Sequence, residues 1–304
     1  MKLLCLGEMM VELSAREPNL WRSAFAGDTF NTAYYLAELQ PRWEVSYGTR
    51  FGVDAFSDAA LRAVTEAGIS TRWITRDPQR TIGLYAISLR DGERSFTYWR
   101  GQSAARALAD DPEWLAMALA DADIVYLTGV TVAILAPDRR ALLVELLAGK
   151  RVVFDPNIRP RLWESAATMR DSITAVARRS SIVLPSFDDE AAAFGDADPD
   201  ATAARYAALG VAEVAVKNGD GKPYVTVEGA SVDMSPPTPV IPVDTTGAGD
   251  SFNAGYLAAR LGGADVASSV RSGQGLSALV VQHPGALLPR DVLAGYLSRT
   301  NKTV

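Results

Sequence analysis

The chain is poor in the residues that build thiol and metal chemistry. It has one cysteine, Cys5, so an internal disulfide and a zinc site made of several thiolates are both excluded. It has one histidine, His283, which removes histidine-rich metal centres and most catalytic triads. Positive charge is not in excess: 30 Lys and Arg stand against 36 Asp and Glu, a formal charge of −6. That balance argues against general nucleic-acid binding, which favours basic surfaces, and leaves room only for a local basic pocket. No apolar run reaches 18 residues, so no segment reads as a membrane-spanning helix. The stretch Met1-Lys2-Leu3-Leu4-Cys5-Leu6-Gly7-Glu8 has a short apolar run broken by Gly and Glu. It reads as a first buried strand and not as an export signal, and a cytoplasmic protein is expected.

What is present fits a folded globule. Of 304 residues, 48% are hydrophobic and 22% charged, which rules out an intrinsically disordered chain. The length fits one large α/β domain or two ordinary ones. Apolar runs at 3–6, 124–127, 152–154, 182–184 and 214–216 alternate with helix-period stretches such as 56–67, 137–147 and 169–179. Short apolar runs alternating with helices predict an α/β fold, a parallel sheet covered on both faces. Neither an internal repeat nor a low-complexity segment is apparent. One region departs from the pattern. Residues 82–89 alternate, Asp91-Gly92 marks a turn, and 95–100 read S-F-T-Y-W-R, a β-hairpin signature. An antiparallel hairpin does not belong inside a parallel series. It is either a small projecting sheet that closes over a site at the strand ends, with 11–14 adding a strand, or an edge hairpin with no role. With no clean linker, the chain reads as a single domain, 1–304, with an excursion near 11–25 and 82–100.

The strongest segment is Asp244-Thr245-Thr246-Gly247-Ala248-Gly249-Asp250-Ser251-Phe252. Residues 240–243 before it read as extended, and 252–260 after it read as a helix. A small glycine-rich turn that opens a helix is a ready anion site, because the first N–H groups have no partner and the dipole is positive there. Gly247 and Gly249 let the backbone come close to an anion. A carboxylate in such a place repels phosphate and calls for a reason. Asp250 is either a helix N-cap or a general base that takes the proton of an alcohol attacking a phosphoryl group. A Walker loop is excluded, because no Gly-Lys-Ser/Thr follows the glycines.

This segment resembles the C-terminal signature of the ribokinase-like (PfkB) family of carbohydrate kinases. Gly27-Asp28-Thr29-Phe30-Asn31 resembles that family's sugar-binding G-D-x-x-N, Phe154-Asp155-Pro156-Asn157-Ile158-Arg159 its D-x-N-x-R segment, and Val216-Lys217-Asn218-Gly219 its K-x-G strand. The matches keep the family's order from about Gly7 to Gly285. The resemblance implies a three-layer α/β/α sandwich with a β lid, ATP as donor, Mg²⁺ as charge partner and an alcohol as acceptor. It implies Asp250 as base and the N–H groups of Gly247, Ala248 and Gly249 as the cradle of the transferring phosphoryl. It places Asn157, Ser186, Lys217 and Gly219 with Gly247 and Gly249 beside ATP, and it leaves a monovalent cation possible near Asp244 and Thr246. Two features depart from the pattern. Where many members carry N-x-x-E, this chain has Ser186-Phe187-Asp188-Asp189, so Asp189 either reaches the metal through water or belongs with Asp188 and Glu190 to an acidic first helical turn. In Asn218-Gly219-Asp220-Gly221 the second glycine comes one residue early, and Asp220-Gly221 also fits a plain hairpin turn.

Substrate choice is read from the hairpin and the arginines. Tyr98 and Arg100 share one face of a strand, and Tyr85 lies across from them on its partner. Arg presents a planar fork that fits a carboxylate, and Arg159 stands at a strand end, where it meets either substrate or an ATP phosphate. Two guanidinium groups near one small molecule predict an anionic sugar. Arg106 and Arg161 are expected to be structural. Y-W-R-x-x-S-A-A, L-T-G-V-T-V-A-I-L and L-P-S-F-D-D-E together resemble the 2-keto-3-deoxygluconate kinase subfamily. That narrower resemblance implies contacts from Gly27, Asp28, Asn31, Tyr85, Tyr98, Arg100, Arg159 and Asp250 to a sugar acid phosphorylated at its terminal hydroxyl. Fructokinases share the D-P-N-x-R-P-x-L-W segment, so a neutral-sugar kinase is the alternative, and a sugar-acid-binding regulator is the non-enzyme one. Gly219-x-Gly221 and Gly273-x-Gly275 lack a third glycine and do not make a dinucleotide fingerprint. Cys5 is expected as a buried hydrophobe and His283 near the adenine side, without acid–base work. A homodimer through the lid is expected from the family, with Phe96 and Trp99 exposed on the hairpin; no nucleic-acid or membrane partner is expected.

Overall fold

The computed structural model describes residues 1–17, 19–90 and 93–300. Thirteen strands are described: β1 (Lys2–Leu6), β2 (Met10–Glu17), β3 (Leu20–Ala26), β4 (Glu44–Gly52), β5 (Ile74–Asp77), β6 (Gly83–Arg90), β7 (Glu93–Trp99), β8 (Ile124–Thr128), β9 (Val152–Asp155), β10 (Ile182–Val183), β11 (Glu213–Val216), β12 (Tyr224–Val227) and β13 (Ala230–Val232). Nine form one sheet in the order β13-β12-β11-β10-β9-β8-β1-β4-β5. From β11 to β5 every pairing is parallel, and β12 and β13 extend one edge in antiparallel fashion.

The continuous apolar runs follow from burial on both faces. Leu3 and Cys5 of β1, and Ile124 and Tyr126 of β8, point into one core; Leu4 and Leu6, and Val125 and Leu127, point into the other. A period of two splits each of these two strands between two covered faces, so charged and hydroxyl-bearing aliphatic residues are confined to their ends, Lys2 and Thr128. Helices Asp28–Leu39, Ala55–Glu66, Ala248–Leu261 and Val266–Val280 cover the first face. Helices Pro112–Asp121, Pro137–Leu146, Ala166–Ala177 and Pro199–Ala207 cover the second. The expected α/β three-layer architecture is therefore present. No helix among the described residues is long and apolar enough to cross a membrane.

The hairpin expected at 82–100 is β6–β7, with Tyr85 opposite Tyr98 and Ile87 opposite Phe96. Its expected turn, Asp91-Gly92, lies outside the described residues. The hairpin joins a separate four-stranded sheet, β3-β2-β6-β7, in which β2 and β6 run parallel. Residues 11–14 fall inside β2. Strand β3 had no apolar alternation to reveal it, since its first four residues are exposed.

Two local expectations shift. Residues 240–243 belong to no strand; Val243 and Asp244 instead donate their N–H groups to the Val281 carbonyl. Pro236, Pro237, Pro239 and Pro242 remove the donors and fix the dihedrals that a ladder would need. The helix expected at 252–260 starts earlier, at Ala248, which puts Asp250 inside its first turn.

Candidate active site

A cleft of about 760 Å³ opens at the carboxyl ends of the parallel strands, under the four-stranded sheet. In open α/β sheets that is where ligands bind, because the loops there splay apart and helix N-termini point at the opening. Its floor is built from the turn at 244–250. Asp244 is buried and organises this turn, accepting from the Thr246 N–H and hydroxyl and from the Gly285 N–H. Gly247 takes a left-handed backbone, φ 77°, and a Cβ there would press on the Ala286 backbone at 2.9 Å. Both facts demand glycine. No side chain caps the helix that follows. Of the expected cradle, the Ala248 N–H is drawn back to the Thr245 carbonyl at 3.2 Å. Gly249 faces the cleft, with only the Lys217 ammonium near its Cβ direction, at 3.6 Å.

Asp250 is not the N-cap, since Gly247 holds that position. Its Oδ2 accepts from Asn31 Nδ2 at 2.7 Å. Burial first, and then the negative charge of Asp28, push its carboxyl up to about 7; the Asn31 hydrogen bond and Lys217 oppose this, and Asp155 adds to it. A carboxyl that ionises near neutrality beside an uncapped helix end is a group suited to accept a proton.

Asp28 opens the helix that also carries Asn31. Its Oδ2 accepts from Thr128 Oγ1 and Asn157 Nδ2, both at 2.6 Å, and its Oδ1 accepts from the Thr29 N–H at 2.8 Å. Gly27 precedes it because a Cβ there would meet the Glu8 carbonyl at 2.2 Å. Asn157 was expected beside ATP; the structure places its side chain on Asp28, and its left-handed φ of 33° turns its N–H back to Asp155 at 3.0 Å.

Lys217 follows β11 and reaches Asp155 at 2.8 Å and Asn253 Oδ1 at 3.1 Å. Asn253 donates to Asp155 at 2.6 Å and to the Tyr126 hydroxyl at 3.0 Å. Asp155 and Asn253 were not singled out from the sequence. The available signals were Asp155 at the head of D-x-N and Asn253 one helical turn beyond Asp250, on the same face. Ser186 and Gly219 line the same cleft, Ser186 through a parallel bridge to Lys217.

The roof is the second sheet. Tyr85 and Tyr98 lie 5.7 Å apart between ring centroids, and Phe96 stacks beside Tyr98. The Tyr85 hydroxyl donates to the buried carboxylate of Glu12. Neither arginine stands alone. Arg100 binds the carboxylate of Glu8, and Arg159 reaches Asp189 at 3.2 Å. Burial raises the Asp189 carboxyl, and Arg159 pulls the other way. Asp188, Asp189 and Glu190 do form an acidic first helical turn, and Glu190 is spent on Arg205 and Tyr206. Among the described residues, no three His, Cys, Asp or Glu side chains gather to hold a metal ion. His283 turns its Nδ1 to the Leu279 carbonyl at 2.9 Å and does not line the cleft. Cys5 is buried in β1, and burial raises its thiol.

The family model for pfkB family carbohydrate kinases matches residues 1–292. The chain is 34% identical over 317 residues to the 2-dehydro-3-deoxygluconokinase of Haemophilus influenzae, covering 99% of each chain. It is 36% identical over 306 residues to that of Escherichia coli K12, covering 96% of this chain and 98% of the other. Its fold superposes on the crystal structure of a PfkB protein from Polaromonas sp. JS666 with a TM-score of 0.80, at 29% identity, over 96% of this chain and 99% of that one.

Proposed function

This chain belongs to the pfkB family of carbohydrate kinases, and from that premise we propose that it transfers the γ-phosphoryl group of ATP to the terminal hydroxyl of 2-keto-3-deoxygluconate. The observation that carries the chemistry is Asp250, a carboxyl lifted to about 7 and set in the first turn of an uncapped helix. The substrate class rests on the relatives at 34% and 36% identity and on a roof that offers two tyrosines and Arg100.

The sugar acid lies between roof and floor. Asp28, already held by Thr128, Asn157 and the Thr29 N–H, accepts from sugar hydroxyls together with the polar groups of Gly27 and Asn31. Tyr98, Arg100 and Arg159 hold the acid end, and Tyr85, whose hydroxyl is engaged by Glu12, offers its ring beside Tyr98. Asp250 takes the proton of the terminal hydroxyl as its oxygen attacks the γ-phosphorus; the bond to the β–γ bridging oxygen breaks, and ADP leaves with it. The free N–H groups at the start of the Ala248–Leu261 helix and the Lys217 ammonium steady the equatorial oxygens. Ser186 and Gly219 border the nucleotide. Closure of the roof excludes water and suppresses loss of ATP to hydrolysis.

Bound Mg²⁺ would neutralise charge on the donor's phosphate oxygens. The residues present fit such an ion: Mg²⁺ in phosphoryl-transfer sites takes one or two carboxylates and fills its shell with phosphate and water. Asp189, which lines the cleft, would be the carboxylate to hold it, directly or through water. The turn of Asp244 and Thr246 is the place for a monovalent cation, and activity in potassium chloride against tetramethylammonium chloride tests it. A reaction that draws on ATP fits a cytoplasmic protein. The outer face of the second sheet carries Trp21 at 43% and Trp99 at 59% exposure, with Leu13 and Leu84 beside them, and it is the face for pairing with a second copy of this chain.

One observation favours a second reading, a neutral-sugar kinase: the Arg100 guanidinium already carries a protein carboxylate. An ADP-release assay with Mg·ATP across 2-keto-3-deoxygluconate, 2-keto-3-deoxygalactonate, fructose, ribose and adenosine separates the readings. Turnover of a keto-deoxy acid, lost in Asp250→Asn, is expected. Turnover of fructose or ribose alone would overturn the sugar-acid substrate. Binding of the acid without turnover would point to a regulator.

A further inference from the structure

We infer that Glu8 is the positioning residue of the acid subsite: it fixes the Arg100 guanidinium at the root of the roof, where Arg100 lines the cleft. The inference rests on the sugar-acid reading above.

Glu8 lies in the short connection where the chain leaves β1 of the large sheet for β2 of the small one, and it is 2% exposed. A buried carboxylate requires donors. It has two, and both stand where the chain returns from the small sheet. One oxygen accepts from Arg100, the residue after β7, and the other from the Ser103 hydroxyl. Ser103 in turn is bridged to Thr81 and donates its N–H to the Arg100 carbonyl at 3.1 Å. One side chain therefore ties the outgoing and returning strands at a single point. The packing leaves no slack around it, since a Cβ at Gly83 would stand 2.9 Å from Glu8 Oε1.

The geometry of Arg100 makes this more than a structural tie. Its side chain is 11% exposed, and its buried Nε has no hydrogen-bond partner among the described residues. A guanidinium is a rigid plane with five donors, so anchoring one NH₂ group sets the direction of all the rest. The cleft also contains Asp28, Asp155, Asp189 and Asp250. An untethered arginine would be drawn to those carboxylates, occupying the groups that hold the sugar and accept the proton. Glu8 supplies a competing anion behind the arginine and keeps the cation facing the acid end of the substrate.

The test is a double-mutant cycle in the full-length protein, with 2-keto-3-deoxygluconate and Mg·ATP varied in turn. Glu8→Ala should raise the KM for the keto acid about tenfold, leave kcat within about threefold and leave the KM for Mg·ATP within about twofold. Glu8→Gln, which keeps an acceptor oxygen but not the negative charge, should recover only part of that loss. In an Arg100→Ala background, Glu8→Ala should add less than about twofold, because the group it positions is gone. Losses that multiply independently would overturn the inference. So would an equal rise in both KM values, which marks a structural role alone. If Glu8→Ala fails to fold, the cycle is run with Glu8→Gln, where coupling of the same sign is expected and independent losses again overturn it. The wild-type arm separates two failures: no wild-type turnover of the keto acid sinks the proposed substrate and the Glu8 inference with it, while wild-type turnover with independent losses sinks the Glu8 inference alone.

Discussion

The floor and the roof of the cleft are built on different principles. On the floor, the polar side chains around Asp28 and Asp155 are already held by partners within the protein. Asp28 is held by three donors, and Asp155, Lys217, Asn253 and Tyr126 form one buried network against the sheet. The roof is a single sheet with both faces partly open, where Tyr98 is 52% and Trp99 59% exposed. A fixed floor suits chemistry, whose geometry must not drift, and a two-sided roof suits recognition and closure. The contrast also locates cost: changes to the floor should reach kcat and stability, and changes to the roof should reach KM or assembly.

The sharpest way to break this division is Asp250→Asn, for which we expect kcat to fall about 10²–10⁴-fold with little change in either KM. The same substitution should raise the melting temperature at pH 8. The folded-state carboxyl ionises near 7 in place of 3.8, so its charge destabilises the fold fully above about 7 and not at all below 3.8. Thermal scans at pH 8 and pH 4 should therefore show a gain only at the higher pH, and equal scans would refute it.

Next in size is Lys217→Met. Removing one partner of a buried pair leaves Asp155 uncompensated, so stability should drop by roughly 3 kcal/mol and kcat by about 10²-fold, read by urea unfolding and steady-state kinetics. The pH profile comes third. For wild type, kcat/KM should fall about tenfold per unit below the Asp250 value of about 7 and level off above it. On the roof, Tyr98→Ala should raise the KM for the sugar acid about tenfold without a change in stability, because the ring is half exposed. The smallest catalytic effect belongs to Trp99→Glu on the outer face. It should abolish the proposed pairing of two copies in light scattering while kcat stays within about twofold. A floor substitution that moved only KM, or a roof substitution that moved only kcat, would dissolve the comparison.

The sequence revealed these two regions unevenly, for physical reasons. The parallel strands are legible because burial on both faces leaves uninterrupted apolar runs, and β6 and β7 are legible because one half-exposed hairpin alternates around a turn. Strand β3 is silent because most of it is exposed and nothing selects its pattern. Within the site, Asp250 and its glycines stand out because a turn, a helix start and a carboxylate coincide within a few residues. The pairing between distant site residues does not. Glu8 lies 92 residues from Arg100, and Asn157 lies 129 residues from Asp28, so only closure of the fold brings them together. A guanidinium read from sequence looks available, and the tertiary structure shows that part of it is already in use.

The edges of the two sheets carry a consequence for behaviour at high concentration. The nine-stranded sheet ends in β5 and β13, four and three residues long. Edges this short offer too few backbone groups to template another chain, so the large sheet is protected against fibrous association. The small sheet ends in β3 and β7, seven residues each, with tryptophans exposed beside them. Colloidal risk is thus concentrated in the small sheet: stickiness during expression or storage should start there, and substitutions aimed at solubility belong on those two strands and not on the body of the protein.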